Sequence, residues 1–192
     1  MRAAVIREHG GLDQIRLEQD FPEPDVRPGW AKIAVKATSL NFHDIFSRRG
    51  MPGIKLPLPL IVGSDIAGEV VEVGEGVTGI AQGSRVLVDP LHLDLGMIGE
   101  RWNGGRAEYC LADARQLVPI PDRVSFEVAA SIPLAYATAH RMMVTRGQVK
   151  AGDTVLVMGA SGGVGTACVL LAKRAGATVI ACASSEEKIC LF

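Results

Sequence analysis

The stretch Asp153 to Ser185, DTVLVMGASGGVGTACVLLAKRAGATVIACASS, sets a glycine-crowded turn between a strand-like run and a helix-like run, and little else in the chain constrains the fold as strongly. Thr154 to Met158 is short, apolar and rich in β-branched residues, as a strand buried on both faces should be. Gly159, Gly162, Gly163 and Gly165 follow, interleaved with Ala160, Ser161 and Val164. Glycines permit positive φ and leave the backbone unshielded by any Cβ. From Val164 to Ala175 there is no proline, leucine and alanine dominate, and Lys173 and Arg174 complement the end of the helix dipole before Gly176 stops it. Thr178 to Cys182 supplies a second strand. The spacing predicts a βαβ unit whose helix N-terminus offers free N–H groups and partial positive charge to a pyrophosphate. Ala160, Ser161, Gly162, Gly163, Val164 and Gly165 are therefore the candidate phosphate-binding residues, although the glycine spacing differs slightly from G-x-G-x-x-G.

The end of the second strand bears on which dinucleotide would bind. An NAD-binding unit places an Asp or Glu on the ribose 2′-hydroxyl about 20 residues beyond the glycines. This chain has Ala183, Ser184 and Ser185 there. With no carboxylate to repel a 2′-phosphate, two hydroxyls to bond it and Lys188 one turn on to pair with it, the residues favour NADP. Ser184 also reads as a cap for the following helix, and Glu186 and Glu187 offset part of the local positive charge.

An apolar fraction of 48% and a charged fraction of 21% over 192 residues describe a globular chain with a sizeable core, which excludes disordered and collagen-like classes. A net charge of −1 with no clustered basic stripe speaks against nucleic acid or a membrane surface as partner. Met1 to His9 lacks the apolar core of a signal peptide, and no apolar run has the length to span a bilayer. Cys110, Cys168, Cys182 and Cys190 are widely spaced with no C-x-x-C, so reduced thiols are expected rather than a disulfide framework or a thiolate zinc site. The expectation is a soluble, cytoplasmic protein.

Upstream of the glycine-rich unit the residues predict short strands. AAVI and QIRLE form a pair across a turn at His9 to Gly11, and Ala31 to Ala37 alternates apolar and charged residues as a half-exposed antiparallel strand. A helix from about Phe42 to Arg48, a proline-broken loop and two or three strands separated by glycine turns come next. Leu91 to Arg106 reads as a loop, and strands resume at Ala107 to Leu111 and Gln116 to Val118. Several short strands with regular turn signals predict a small, closed or nearly closed β-barrel. The turn at Ile120 to Asp122 marks a domain boundary, dividing the chain into residues 1–122 and 123–192. Ser125 then caps a helix with Val128, Ala129 and Ile132 on one face, Pro133 interrupts it, and a second helix covers about Ala135 to Thr145. A dinucleotide-binding sheet needs about five or six parallel strands. The sequence stops five or six residues into the helix after its second, at Ile189 to Phe192, so an incomplete α/β Rossmann domain is expected.

The order of elements, the hairpin VGSDIAGEVVEVGEGVTGIAQGSRV, the segment GGRAEYC, the helix VSFEVAASIPLAYATAH and the run GASGGVGTACVLLAKRAGATVIACASSEEK together resemble the medium-chain dehydrogenase/reductase superfamily. The resemblance covers essentially the whole chain. LNFHDIFSRRG and the GGVG turn are most similar to the quinone oxidoreductase (zeta-crystallin) branch and its enone-reductase relatives. What the resemblance implies is a GroES-like barrel followed by a Rossmann domain. It implies further that Asn41 reaches the nicotinamide or its ribose, that Thr138 lies beside the nicotinamide, that Ala160 to Gly165 hold the phosphates, and that Ser184, Ser185 and Lys188 hold the adenosine phosphate. Read locally, Asn41 is equally a satisfied turn amide and Thr138 a helix hydroxyl bonding its own backbone. Tyr136 and His140 read as packing residues. Ser84 stands where the family has an aspartate, and its hydroxyl is expected to bond local backbone.

In the zinc-dependent alcohol dehydrogenases of this superfamily a cysteine stands where this chain has Asn41, and a His-Glu pair where it has Ser64 and Asp65. An amide and a hydroxyl do not replace thiolate and imidazole in a tetrahedral set. The loop Leu91 to Arg106 also lacks the four cysteines of the structural zinc site. His43 reads as a helix-surface residue and Asp44 as a carboxylate facing the helix dipole. Without a metal, a conjugated acceptor still spreads the charge that hydride transfer places on it, so orientation and a few donors suffice. The resulting expectation is an NADPH-dependent oxidoreductase, without catalytic zinc, that reduces a small-molecule quinone or α,β-unsaturated carbonyl, its catalytic residue unassigned. A truncated, non-catalytic NADP-binding fragment and an alcohol dehydrogenase-type activity are the alternatives. A full-length relative is expected to be a homodimer through later Rossmann strands.

Overall fold

The computed structural model describes residues 1–53 and 55–190. The chain forms two compact units divided between Pro133 and Leu134. In the first, β1 (Ala3–Ile6), β2 (Ile15–Glu18) and β4 (Leu60–Ile61) make an antiparallel sheet of order β2-β1-β4. A second antiparallel sheet has the order β10-β6-β5-β3-β9, from β3 (Trp30–Thr38), β5 (Ile66–Val73), β6 (Arg85–Val88), β9 (Tyr109–Asp113) and β10 (Leu117–Pro119). Inward-facing Ala31, Ile33, Ile66, Val70, Val86, Val88, Cys110 and Ala112 from these strands build its core, and burial pushes the Cys110 thiol up to about 12.

The predicted closed barrel does not form. Among the described residues the two sheets meet at one bridge, Ala3 to Ala107, flanked by the backbone bonds Ala4 N to Arg106 O (2.8 Å) and Glu108 N to Arg2 O (3.1 Å). Strand β4 is too short to carry the ladder further: Pro59 precedes it without an N–H to donate, and Gly63 turns the chain away at φ 107°. The predicted loop Leu91 to Arg106 contains a small hairpin, β7 (Leu91–His92) with β8 (Gly96–Met97). Helix α1 (Phe42–Arg49) lies where predicted. The proline-broken segment after it includes Ile54, which lies outside the described residues. Ser125 caps α2 (Phe126–Ala130), its hydroxyl accepting from Val128 N. The buried residues of α2 are Ala129 and Ala130, while Val128 and Ile132 are exposed, because small side chains let the helix approach β3 and β5 closely.

Helix α3 (Pro133–His140) begins at the interrupting proline and runs into a π-helical segment, Arg141–Arg146, so the predicted second helix is α-helical only in its first part. Strands β11 (Thr154–Met158) and β12 (Thr178–Cys182) pair in parallel from Thr154 opposite Thr178 to Met158 opposite Cys182. Between them α4 (Gly163–Arg174) packs Ala167, Cys168, Val169 and Ala172 against Val157, Ala139 and Met143. Leu156, Met158 and Ile180 point the other way and are exposed, so one face of these strands is covered rather than the expected two. A short helix, α5 (Glu186–Ile189), ends the described chain, with Leu191 and Phe192 outside the described residues.

The hairpin β7–β8 is anchored by a buried imidazole. His92 Nδ1 accepts from Asp94 N and Leu95 N, both at 3.1 Å, and its Nε2 lies 3.2 Å from Asp113 Oδ2 and 3.0 Å from Arg115 Nη2. Trp30 stacks on the ring and Trp102 meets it edge-on. The Arg115 guanidinium grips both Asp113 oxygens at 2.9 and 3.0 Å, and holds that carboxyl well below the usual carboxylate range, with His92 adding to the effect. A depressed folded-state pKa contributes stability above the unfolded value, near 3.9 for aspartate, and loses it as the pH falls below that value. Thermal unfolding measured from pH 6 down to about pH 2 should therefore show a loss of stability below about pH 4 that is smaller in Asp113→Asn.

Candidate functional site

The glycine turn has the geometry that its sequence implies. Gly159 closes β11 at φ 65°, a conformation that other residues rarely adopt. Ala160 is fully buried, and its N–H reaches across to Cys182 O (2.9 Å), tying the turn to the end of β12. Thr166 locks the same turn from the helix, its hydroxyl donating to Ala160 O at 3.0 Å. A Cβ on Gly165 would fall on Gly159 O and 2.8 Å from Ala160 Cα, so close helix-to-turn packing demands glycine there. Gly162 and Gly163 are different. Gly162 has an ordinary φ of −80° and room for a Cβ, and a Cβ on Gly163 would meet only Ala135 Cβ at 3.5 Å. Both are exposed, and nothing in the chain's own packing requires them to be bare. With Gly162 as N-cap, Gly163, Val164 and Gly165 are the first three residues of α4, whose N–H groups have no partner within the helix. Bare backbone donors at the positive end of a twelve-residue helix fit a phosphate group. Ser161 borders them, half-buried.

At the end of β12 the hydroxyl and the ammonium singled out in the sequence are in contact: Lys188 Nζ donates to Ser184 Oγ at 3.2 Å. The cap of α5 is Ser185, whose hydroxyl accepts from Lys188 N, so capping falls to Ser185 and not Ser184. Ser184, Ser185 and Lys188 are all exposed. Thr138 is exposed on α3, three residues beyond Ala135 and so on the helix side that borders Gly163. Tyr136 is partly buried against the α4 core, and His140 is exposed.

Asn41 lies in the first unit, at the N-cap of α1. Its Nδ2 donates to Asp65 Oδ2 (2.9 Å), which also accepts from Ser39 Oγ (2.6 Å), while Thr38 Oγ1 donates to Asp65 O (2.7 Å). Asp65 is fully buried, as is Ser64, whose hydroxyl faces Met97 Sδ at 3.7 Å. Asp44 completes the cap: its Oδ2 accepts from Asn41 N (2.9 Å) and from Arg106 Nη2 (2.8 Å). Asp44 is therefore a buried ion-pair partner as well as a carboxylate at the helix start, and losing either member would cost about 3–5 kcal/mol. His43 is not on the helix surface: its Nε2 is buried, 3.0 Å from Glu100 Oε2 though off the line of a hydrogen bond. Arg106 and Glu100 went unmarked in the sequence because each acts on α1 from more than 50 residues away, with no local spacing to signal it. Ser84 Oγ accepts from Ala81 N at 3.1 Å, the local backbone bond expected of it. Among the described residues no three His, Cys, Asp or Glu side chains gather as a metal-binding group, and no helix is long and apolar enough to cross a membrane.

Residues 27–122 match the family model of the alcohol dehydrogenase GroES-like domain. Quinone oxidoreductase from Pongo abelii is 35% identical over 187 residues, which make up 97% of this chain and 54% of that protein. The chloroplastic NADPH-dependent alkenal/one oxidoreductase of Arabidopsis thaliana is 34% identical over 191 residues, 98% of this chain and 49% of that protein. The crystal structure of an NAD-dependent alcohol dehydrogenase superimposes with a TM-score of 0.92 at 39% identity, covering 100% of this chain and 60% of the other. The chain thus spans about half the length of the curated relatives that it matches. On the domain match, the βαβ unit and these likenesses, the chain belongs to the medium-chain dehydrogenase/reductase superfamily, of which it carries the alcohol dehydrogenase GroES-like domain.

Proposed function

We propose that the chain is part of an NADPH-dependent oxidoreductase that transfers a hydride to a quinone or an α,β-unsaturated carbonyl without catalytic zinc. The observation that carries the cofactor reading is the pair Gly162 and Gly163, two bare backbone positions that the protein's own packing leaves free to be larger, at the start of α4. On this reading β11, α4 and β12 belong to a Rossmann domain, Ala160 to Gly165 seat the pyrophosphate, and Thr138 contacts the nicotinamide end. Bound there, the nicotinamide supplies the hydride. The residues of this chain hold it, orient it and keep its phosphates neutralised. The alkenal/one oxidoreductase name and that of the quinone oxidoreductase support the acceptor class.

The NADP preference rests on Ser184 and Lys188, whose contact places a hydroxyl and an ammonium side by side with no carboxylate at Ala183 to Ser185. The zinc-free reading rests on the donor set around Asn41. An amide whose nitrogen is engaged by Asp65 and a hydroxyl facing a thioether offer zinc neither thiolate nor imidazole. The likeness to an NAD-dependent alcohol dehydrogenase favours a second reading with NADH, which the experiments separate.

Gly163→Val should leave the thermal unfolding midpoint nearly unchanged and weaken NADPH binding, read by fluorescence, about tenfold or more, because the added side chain occupies the space of the phosphate. Equal loss of stability and binding would make the glycine structural. Lys188→Glu should cost NADPH affinity while sparing NADH, and a wild-type protein that binds NADH more tightly than NADPH contradicts the reading of Ser184, Ser185 and Lys188. Chelation with EDTA should leave NADPH oxidation by a simple quinone unchanged.

A further inference from the structure

Thr166 makes a bond that its place in a helix does not ask for. It lies in the first turn of α4, where a threonine hydroxyl ordinarily bonds back to the carbonyl four residues earlier. Here that carbonyl, Gly162 O, is taken by Thr166 N at 2.8 Å, and the hydroxyl reaches six residues back to Ala160 O at 3.0 Å. Ala160 is fully buried, so without the hydroxyl its carbonyl would be an acceptor with nothing to accept. The carbonyls of Gly159, Ala160 and Gly162 are each met by a donor of the chain itself, Gly162 N, Thr166 Oγ1 and Thr166 N in turn. Of the three, that of Ala160 is held by a side chain, and so by a group that one substitution removes.

The direction of this carbonyl matters to an anion. A Cβ built on Gly165 would lie 2.9 Å from Ala160 O, so the oxygen is wedged against the first turn of α4. The peptide between Ala160 and Ser161 is trans, which sets the Ser161 N–H on the side opposite that oxygen. The negative end of the peptide dipole therefore faces the helix. A peptide turned over would put that end on the open side of the turn, against any anion drawn by the N–H groups of Gly163 and Val164.

We infer that Thr166 is a positioning residue of the phosphate site: its hydroxyl holds the Ala160–Ser161 peptide with its carbonyl toward α4, so that the turn meets an anion with N–H groups. This rests on the phosphate-binding reading of the turn proposed above, and every group it invokes lies in the second unit. The requirement at position 166 is then the hydroxyl and not the shape of the side chain.

Three variants separate the two. Thr166→Val keeps the shape and removes the hydroxyl, Thr166→Ala removes it with a better helix former, and Thr166→Ser keeps it. Thr166→Val and Thr166→Ala should each weaken binding of NADPH and of inorganic pyrophosphate about tenfold, while Thr166→Ser stays within a few-fold of wild type. The ¹⁵N-resolved Ser161 amide reads the peptide without ligand: it should shift in Thr166→Val and Thr166→Ala and stay near its wild-type position in Thr166→Ser. Folded hydroxyl-free variants that bind both probes like wild type would overturn the inference. So would a Thr166→Ser protein as weak as Thr166→Val, which makes packing of the methyl group the cause. Failure of both hydroxyl-free variants to fold would also overturn it, by making Thr166 structural. A wild-type protein that binds neither probe removes the phosphate reading of the turn along with this inference, whereas wild-type binding with amide shifts at Gly163 and Val164, unchanged in affinity by the variants, removes the inference alone.

Discussion

A carboxylate taken out of water must be paired, and the region around α1 is built on two that are. Asp44 joins the start of the helix to Arg106, 62 residues on, and Asp65 gathers the side chains of Ser39 and Asn41. Together they fix the N-terminal turn of α1 to the loop that follows β8 and to the residues before β5. The Coulombic gain of the Asp44–Arg106 pair roughly balances its desolvation, so its contribution is geometric more than energetic. They hold Asn41 in one place and one orientation, which a turn held by packing alone would not do.

A different economy governs the second unit. There the turn is shaped by backbone bonds, Ala160 N to Cys182 O and Gly162 N to Gly159 O, with Thr166 closing the loop from the helix. Gly159 and Gly165 are explained by conformation and close packing, Gly162 and Gly163 by neither. On the proposed reading, a ligand that approaches the backbone is the reason for them. The unit thus distinguishes glycines that its turn and packing require from glycines that they do not, a distinction invisible in a motif of consecutive glycines.

Much of this was legible in the sequence where the signal is local. The strand at Thr154–Met158, the helix after Gly163, the cap at Ser125 and the break at Pro133 follow from periodicity and capping chemistry within a few residues. What escaped depends on partners distant along the chain. Arg106 sits in GGRAEYC with no helix or strand rule to mark it, and the burial of His43 against Glu100 needs the fold of the 91–106 segment, whose short hairpin is pinned by His92 and two tryptophans rather than by strand propensity. Barrel closure failed as an expectation for a related reason: regular turns announce strands, but ring closure depends on the length of one strand, β4, which has only two residues.

On the proposed reading, bare backbone donors at the start of α4 receive the phosphates of NADPH. The most direct measurement is a titration of the ¹⁵N-labelled protein with NADPH, following backbone amide signals. Saturable shifts should concentrate at Gly162, Gly163 and Val164, with further shifts at Ser184 and Lys188 that NADH does not reproduce. Saturable binding that leaves the Gly162 to Val164 amides unmoved, or no binding at all, would contradict it.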